Sequence, residues 1–245
     1  MKTELINSMP NPNVDPVGES HAFYSLYYRL EKSDSPVKSR ESMISRMSAS
    51  ISNLSSNDIV LDIGSGIQIL EAEYVALNGL PKLKFVTLDI SEPDSRQRLL
   101  TPNLEHIVAS GTNVPFTDNS VSLAVSNMAL DFIPKNALQE IARILKPGAQ
   151  LLLNMHHPSL IPPDLNRRIR SLEQKLRFQT RPADEKQVLK RASLQHKRYL
   201  KDNDVLYKSS DQIRETFEQY GFKIQRIEQA FGGDTWWEAD MSKAT

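Results

Sequence analysis

Cysteine is absent from the 245-residue chain. That excludes disulfides, cysteine-ligated zinc and thiol nucleophiles, and it leaves an iron–sulfur cluster without its ordinary ligands. Apolar runs are short as well: none approaches the ~20 residues that span a bilayer. The opening MKTELINSMPNPNVDP lacks the apolar centre of a secretion signal, so a cytoplasmic protein with no membrane partner is expected. A metal site has little to build on, because His156 and His157 are adjacent rather than at helical or strand spacing and no Asp/Glu set joins them. Net charge is also missing, with 30 Lys+Arg against 30 Asp+Glu. The distribution is uneven, however: Asp164 to Lys201 holds 12 Lys/Arg against 4 Asp/Glu, leaving 18 against 26 elsewhere. A basic segment on an acidic body is a docking surface for an anionic partner, or simply a solvated pair of helices.

What is present centres on Asp58 to Gln68, DIVLDIGSGIQ. The apolar Ile59, Val60, Leu61 and Ile63 surround Asp62 and lead into Gly64-Ser65-Gly66. From Ile67 the spacing becomes helical, with Ile67, Leu70, Tyr74 and Leu77 on one face. Such a strand, glycine turn and helix start is where parallel α/β sheets bind nucleotide-like ligands. One unit later, Lys84-Phe85-Val86-Thr87-Leu88-Asp89 is a second strand ending in an acid, placed to accept hydrogen bonds from a ribose diol.

Taken with these, Leu88-Asp-Ile-Ser91, Val114-Pro-Phe-Thr-Asp118, the run Asn136 to Gly148 and Leu151-Leu-Leu-Asn154 resemble the class I S-adenosylmethionine-dependent methyltransferases, in their small-molecule, type 11-like branch. The likeness covers roughly residues 55 to 157, and more loosely 205 to 241. It implies an α/β fold: a Rossmann-like, doubly wound, seven-stranded sheet with the last strand antiparallel. It also implies S-adenosylmethionine as cofactor. In that reading Asp62, Gly64, Ser65 and Gly66 meet the amino-acid end, with Asp62 on its ammonium. Asp89 holds the ribose and Ile90 packs on the adenine. Ser110, Gly111 and Thr112 stand where relatives read the adenine amine, and Asn127 and Met128 line the methionine side. Three positions depart from the family pattern: Gln68 replaces a third glycine, Ser110 an acid, and Val121-Ser122 a Phe-Asp pair. A side chain at Gln68 would either crowd the methionine moiety or bond its carboxylate.

Residues 1–18, with Pro10, Pro12, Pro16 and Gly18, read as a flexible arm. Residues 19–245 read as a single domain. Within it, 19–54 supplies N-terminal helices over the cofactor: Glu19 to Glu31, rich in tyrosine, and then Pro36 to Leu54. Strands are expected near 58–63, 83–89, 104–109, 121–126, 149–155, 223–229 and 235–241, and helices at 66–79, 136–146 and 210–220. Residues 158–204 form a basic helical insertion after the fifth strand, capping the substrate side.

Methyl transfer from a sulfonium asks for alignment, dryness and at most one proton removed. His156 and His157, at the carboxyl end of the fifth strand, are candidate bases, and Asp131, after the fourth, is a candidate substrate contact. The expected activity is methylation at O or N of a small molecule, or of a metabolite carried on a protein or leader peptide, as in specialised metabolism. The basic insertion favours an anionic acceptor. The rivals are an RNA-modifying methyltransferase, for which the basic segment would track phosphates, and a non-catalytic S-adenosylmethionine-binding scaffold, motivated by Gln68 and Ser110.

Overall fold

Beta-rich, apolar stretches become strands where the alternation or the continuous apolar run predicts them. In the computed structural model they are Ile59–Ile63 (β1), Lys84–Asp89 (β2), Leu104–Val108 (β3), Val121–Asn127 (β4), Leu145–His156 (β5), Phe222–Phe231 (β6) and Thr235–Lys243 (β7). Helices are Val37–Ile51 (α1), Ile69–Asn78 (α2), Ala137–Ile144 (α3) and Ser210–Gln219 (α4). The structure describes residues 37–66, 68–90, 101–157, 183, 186, 207–231 and 235–245. The expected arm at 1–18, the helix at 19–31, the start of the next helix at Pro36, Ile67, the insertion at 158–204 and the Gly232-Gly233-Asp234 turn lie outside them, apart from residues 183 and 186. The chain divides into two units, Ser35–Ser159 with Val205–Thr245, and Met1–Asp34 with Leu160–Asp204; the former carries every strand named above.

The strands make one seven-stranded sheet in the order β3-β2-β1-β4-β5-β7-β6. β3, β2, β1, β4 and β5 pair in parallel, and β7 runs antiparallel to both β5 and β6. This is the doubly wound sheet with an antiparallel last strand that the motifs imply. Order reverses between β1 and β4, opening a crevice at their carboxyl ends. Strand alternation sends Leu61, Ile63, Leu151 and Leu153 to one face, against Leu138 and Ile141 of α3 and Phe217 of α4. Val60, Phe85, Val125 and Leu152 face the other way, against Met43 and Met47 of α1 and Leu70 and Tyr74 of α2. Helices cover both faces, so the central strands are nearly all apolar.

Two boundaries differ from the sequence reading. Helix α2 starts at Ile69 because Gln68 takes a left-handed conformation (φ 61°) and breaks the helical run. Its inward stripe is Leu70, Glu71 and Tyr74, whereas Leu77, expected on that stripe, is 72% exposed. Helix α3 ends at Ile144 rather than Lys146, and Pro147-Gly148 falls inside β5. Lys146 precedes a proline, which disfavours the helical region. Gly148 then takes φ 77°, so the residues between the pairs Val121↔Leu145 and Leu123↔Gln150 bulge out of the ladder.

Charge is concentrated where α1 lies on the closing hairpin. Arg46 bonds Asp240 and the Asn154 side chain, and Glu238 accepts from Ser42, from Trp236 Nε1 at 3.0 Å and from Arg226 at 2.9 Å. Arg226 also bonds Asp240 at 2.9 Å. Burial works to raise Glu238, but Ser42, Arg46, Trp236 and Arg226 together hold its carboxyl below the usual range.

At the opposite rim, Asp58 accepts from Lys146 Nζ at 2.6 Å, from Ser122 Oγ and from Ser55. These contacts depress its carboxyl far below the ordinary 3.8, Lys146 contributing most. Ser122, one of the departures from the family pattern, thus has a structural partner. A depressed folded pKa stabilises the protein above the unfolded value and loses that contribution as pH falls below it. Asp58→Asn should therefore cost ~2 kcal/mol at neutral pH, with the difference from wild type narrowing steadily as the pH falls below the ordinary 3.8. Urea unfolding across that range checks it.

Candidate active site

Gly64 and Gly66 take φ 78° and 55°, the left-handed region that a side chain disfavours. A Cβ on Gly64 would stand 2.3 Å from Ala129 Cβ, so the turn after β1 lies directly against the Ala129 methyl on the chain leaving β4. Met128, just before that contact, is itself left-handed (φ 60°), its N–H held by Asn154 O at 2.7 Å. A non-glycine residue so held marks a place where the surroundings over-determine the backbone.

The N–H groups of the turn are committed internally. Gly64 and Ser65 donate to Leu88 O at 2.7 and 3.2 Å, and Gly66 donates to Asp89 Oδ2 at 2.9 Å. The expectation that glycine N–H groups face a ligand gives way here to another role: they clamp the turn onto the end of β2 and fix Asp89 at the crevice. Ile90, half-buried, follows directly. Ser110 and Thr112 share a hydroxyl–hydroxyl bond of 2.8 Å after β3, and Ser110 Oγ also accepts the Thr112 N–H at 3.2 Å. Between them Gly111 is buried, with room for a Cβ only 3.0 Å from Ile133. Asn127 Oδ1 accepts from Asn154 Nδ2 at 2.9 Å, tying the ends of β4 and β5 together.

Gln68 answers the question its sequence position raised. It is buried, and its Nε2 donates to Thr87 Oγ1 at 2.8 Å, which in turn meets His106 Nδ1 at 2.8 Å. Its side chain braces the turn against β2 and β3.

Asp62 is buried on the same face as Thr87 and Asp89. Burial first, then the charges of Glu71 and Asp89, push its carboxyl well above the usual range. Asp62 Oδ1 and both oxygens of Glu71 meet no donor among the described residues. Such orphaned buried acceptors suit a cationic ligand group, and with Asp89 at the strand end the residues fit a ligand carrying both an ammonium and a diol. Glu71 was missed by motif reading. The available signal was an acid on the apolar stripe beside Leu70 and Tyr74.

At the end of β5, Asp131 Oδ2 accepts both the His156 N–H at 2.9 Å and His156 Nδ1 at 2.8 Å. Asp131 lies in the short 3-10 turn Leu130–Phe132. Its side chain is fully buried, while that of His156 is 43% exposed. Tyr207 packs nearby, its hydroxyl raised by burial and by the charges of Asp131 and Tyr220. His157 packs at a tilt against Trp237, 4.5 Å between ring centroids, and burial lowers its pKa. The sequence named Asp131 and both histidines separately; the structure pairs Asp131 with His156 and seats His157 on the hairpin. Among the described residues no group of three or more His, Asp or Glu is placed to hold a metal, and no helix is long and apolar enough to cross a membrane.

Comparison with known proteins agrees with this layout. Residues 61–153 match the methyltransferase domain family. The chain is 30% identical over 121 residues to the tRNA (carboxymethyluridine(34)-5-O)-methyltransferase of Arabidopsis thaliana, covering 45% of this chain and 27% of that protein. It is 31% identical over 110 residues to the demethylmenaquinone methyltransferase of Renibacterium salmoninarum, covering 42% of this chain and 44% of that one. The match thus spans less than half the length of either relative. Among solved structures, an Aquifex aeolicus SAM-dependent methyltransferase superposes with a TM-score of 0.56 at 15% identity, over 94% of this chain and 99% of that one.

The Gln68 brace predicts a graded response. Gln68→Ala keeps the left-handed strain and leaves Thr87 without its donor, for a loss of ~1–3 kcal/mol. Gln68→Gly loses the same bond but relieves ~1 kcal/mol of strain, so it should be the milder change. Chemical denaturation of the two variants side by side tests the order.

Proposed function

We propose that the chain is a class I S-adenosylmethionine-dependent methyltransferase, a reading supported by the match of residues 61–153 to the methyltransferase domain family, and that it methylates an O or N atom of an acceptor, with His156 as the base and Asp131 as its positioning partner. The observation that carries this reading is the Asp131–His156 pair at the carboxyl edge of β5. The buried carboxylate accepts from Nδ1, so the ring proton sits there and Nε2 is the basic nitrogen. Half-exposed, His156 is placed to take a proton from a hydroxyl or ammonium as it becomes a nucleophile. When bound, the cofactor supplies a methyl group on a sulfonium, already activated for transfer. The protein's share is position: Asp89 for the ribose, Asp62 for the ammonium, Ile90, Ser110, Gly111 and Thr112 around the base, and Asn127 and Met128 at the methionine side. His157, packed against Trp237, shapes the wall beside them.

A small-molecule acceptor is favoured, in keeping with the similarity to a quinone-modifying relative. The second reading, an RNA acceptor, is supported by the similarity to a tRNA methyltransferase and by the 12 basic residues between Asp164 and Lys201. Nucleic-acid binding whose affinity falls steeply with salt, as phosphate contacts require, would select it.

Asp89→Ala should weaken binding of S-adenosylhomocysteine by two orders of magnitude or more (~3 kcal/mol, the scale of a charged hydrogen bond) while the thermal melt stays cooperative. Unchanged calorimetric affinity would remove Asp89 from the site. With an acceptor in hand, Asp131→Asn and His156→Ala should each lower kcat by ~100-fold or more and leave cofactor affinity within about threefold. A loss confined to KM would assign the pair to acceptor binding.

A further inference from the structure

Beneath the glycine turn two carboxyls meet no counter-charge among the described residues. Asp62 on β1 and Glu71 in the first turn of α2 are 2% and 1% exposed. Asp62 Oδ1 and both Glu71 oxygens make no well-formed hydrogen bond to a donor among the described residues, though Glu71 lies near its own backbone N–H and the two side chains lie within hydrogen-bonding reach of each other. Two acceptors in that position can be joined directly by a shared proton. Several neighbouring groups are committed elsewhere. Asp89 is held by Gly66, and Gln68 donates to Thr87. Tyr74 lies one turn along α2, and Arg40 of α1 bonds Glu73 at 2.8–2.9 Å.

Charging both carboxyls here would place like charges side by side in a poorly solvated site. Burial is the main force pushing each above the usual carboxylate range, and the charge of Glu71 adds to it at Asp62. One proton shared between the two carboxyls relieves that repulsion, and the pair titrates as a unit rather than as two residues. A primary ammonium brings donors and a positive charge in one group, the complement the pair lacks.

We infer that Asp62 and Glu71 form a two-carboxyl receptor for the ammonium at the amino-acid end of the cofactor, and that seating this ammonium expels the proton the pair holds. The receptor rests on the cofactor reading under the proposed function and adds Glu71 to it. The balance is simple: a carboxyl O–H bond breaks, the proton leaves to solvent, and the carboxylate accepts an ammonium N–H in its place. Cofactor affinity is then coupled to pH, strengthening by up to about tenfold per unit while the free pair remains protonated.

The test is calorimetry on the full chain in buffers of different ionisation enthalpy, between about pH 5.5 and pH 6.7, a unit or more below the ordinary α-amino value, where the ligand's own ammonium keeps its proton. S-adenosylhomocysteine should release about one proton on binding. 5′-Methylthioadenosine, which keeps the adenosine and thioether but lacks the amino-acid end, should release none. Glu71→Gln should bind S-adenosylhomocysteine with no proton release and a flat pH profile. Should that variant fail to fold, the contrast between the two ligands on the wild-type protein decides the matter alone. Binding of S-adenosylhomocysteine without proton release, or equal release by both ligands, overturns the receptor and leaves the cofactor reading standing. No binding of either ligand overturns the cofactor reading and the receptor with it.

Discussion

The contact between Gly64 and Ala129 constrains everything at the crevice. With 2.3 Å between an imagined Cβ and Ala129, only a glycine lets the turn after β1 approach the exit of β4. That approach brings the switch point of the sheet into a narrow slot, and the turn's own N–H groups, given to Leu88 O and Asp89, lock it in register with β2. Met128 accepts a left-handed backbone and Gln68 does the same on the other flank, so the slot is rimmed by conformations that neighbouring bonds enforce. Rigid framing of this kind is what a positioning catalyst needs, since its advantage comes from holding reactants in place.

Polar side chains at this end of the sheet share a common logic. Alternation puts Asp62, Thr87 and Asp89 on one face, in the strip between the apolar core and the crevice. Thr87 is satisfied within the protein by Gln68 and His106. Among the described residues Asp62 Oδ1 and Glu71 find no such partner, and buried acceptors without donors are rare enough to demand a reason. Asp131 spends one oxygen on both the backbone and the ring of His156, which sets the tautomer and the direction of the imidazole together.

Much of this was legible in the chain itself. Apolar runs with turn residues at their ends gave every described strand to within a few residues, and the glycine turn with Asp89 gave the crevice. What escaped depended on contacts distant in sequence. Glu71 reads as one more charge on a helix until Leu77 is seen to be exposed and the stripe is found to have turned toward Glu71. Gln68 reads as an intruder in a glycine loop until Thr87 is found 2.8 Å from it. Lys146-Pro147-Gly148 reads as a helix stop, but its residues belong to a strand, because pairing with β4 outweighs the local signal. Asp131 and His156 lie 25 residues apart, and only the ends of adjacent strands bring them together.

The ion cluster in which Arg46 and Arg226 share Glu238 and Asp240 carries a thermal consequence. Hydration of charged groups grows less favourable on warming, so the cost of drying such a cluster shrinks just as apolar burial stops gaining strength. The grip of α1 on the closing hairpin therefore holds its share of stability on heating better than the leucine- and valine-lined strands beside it.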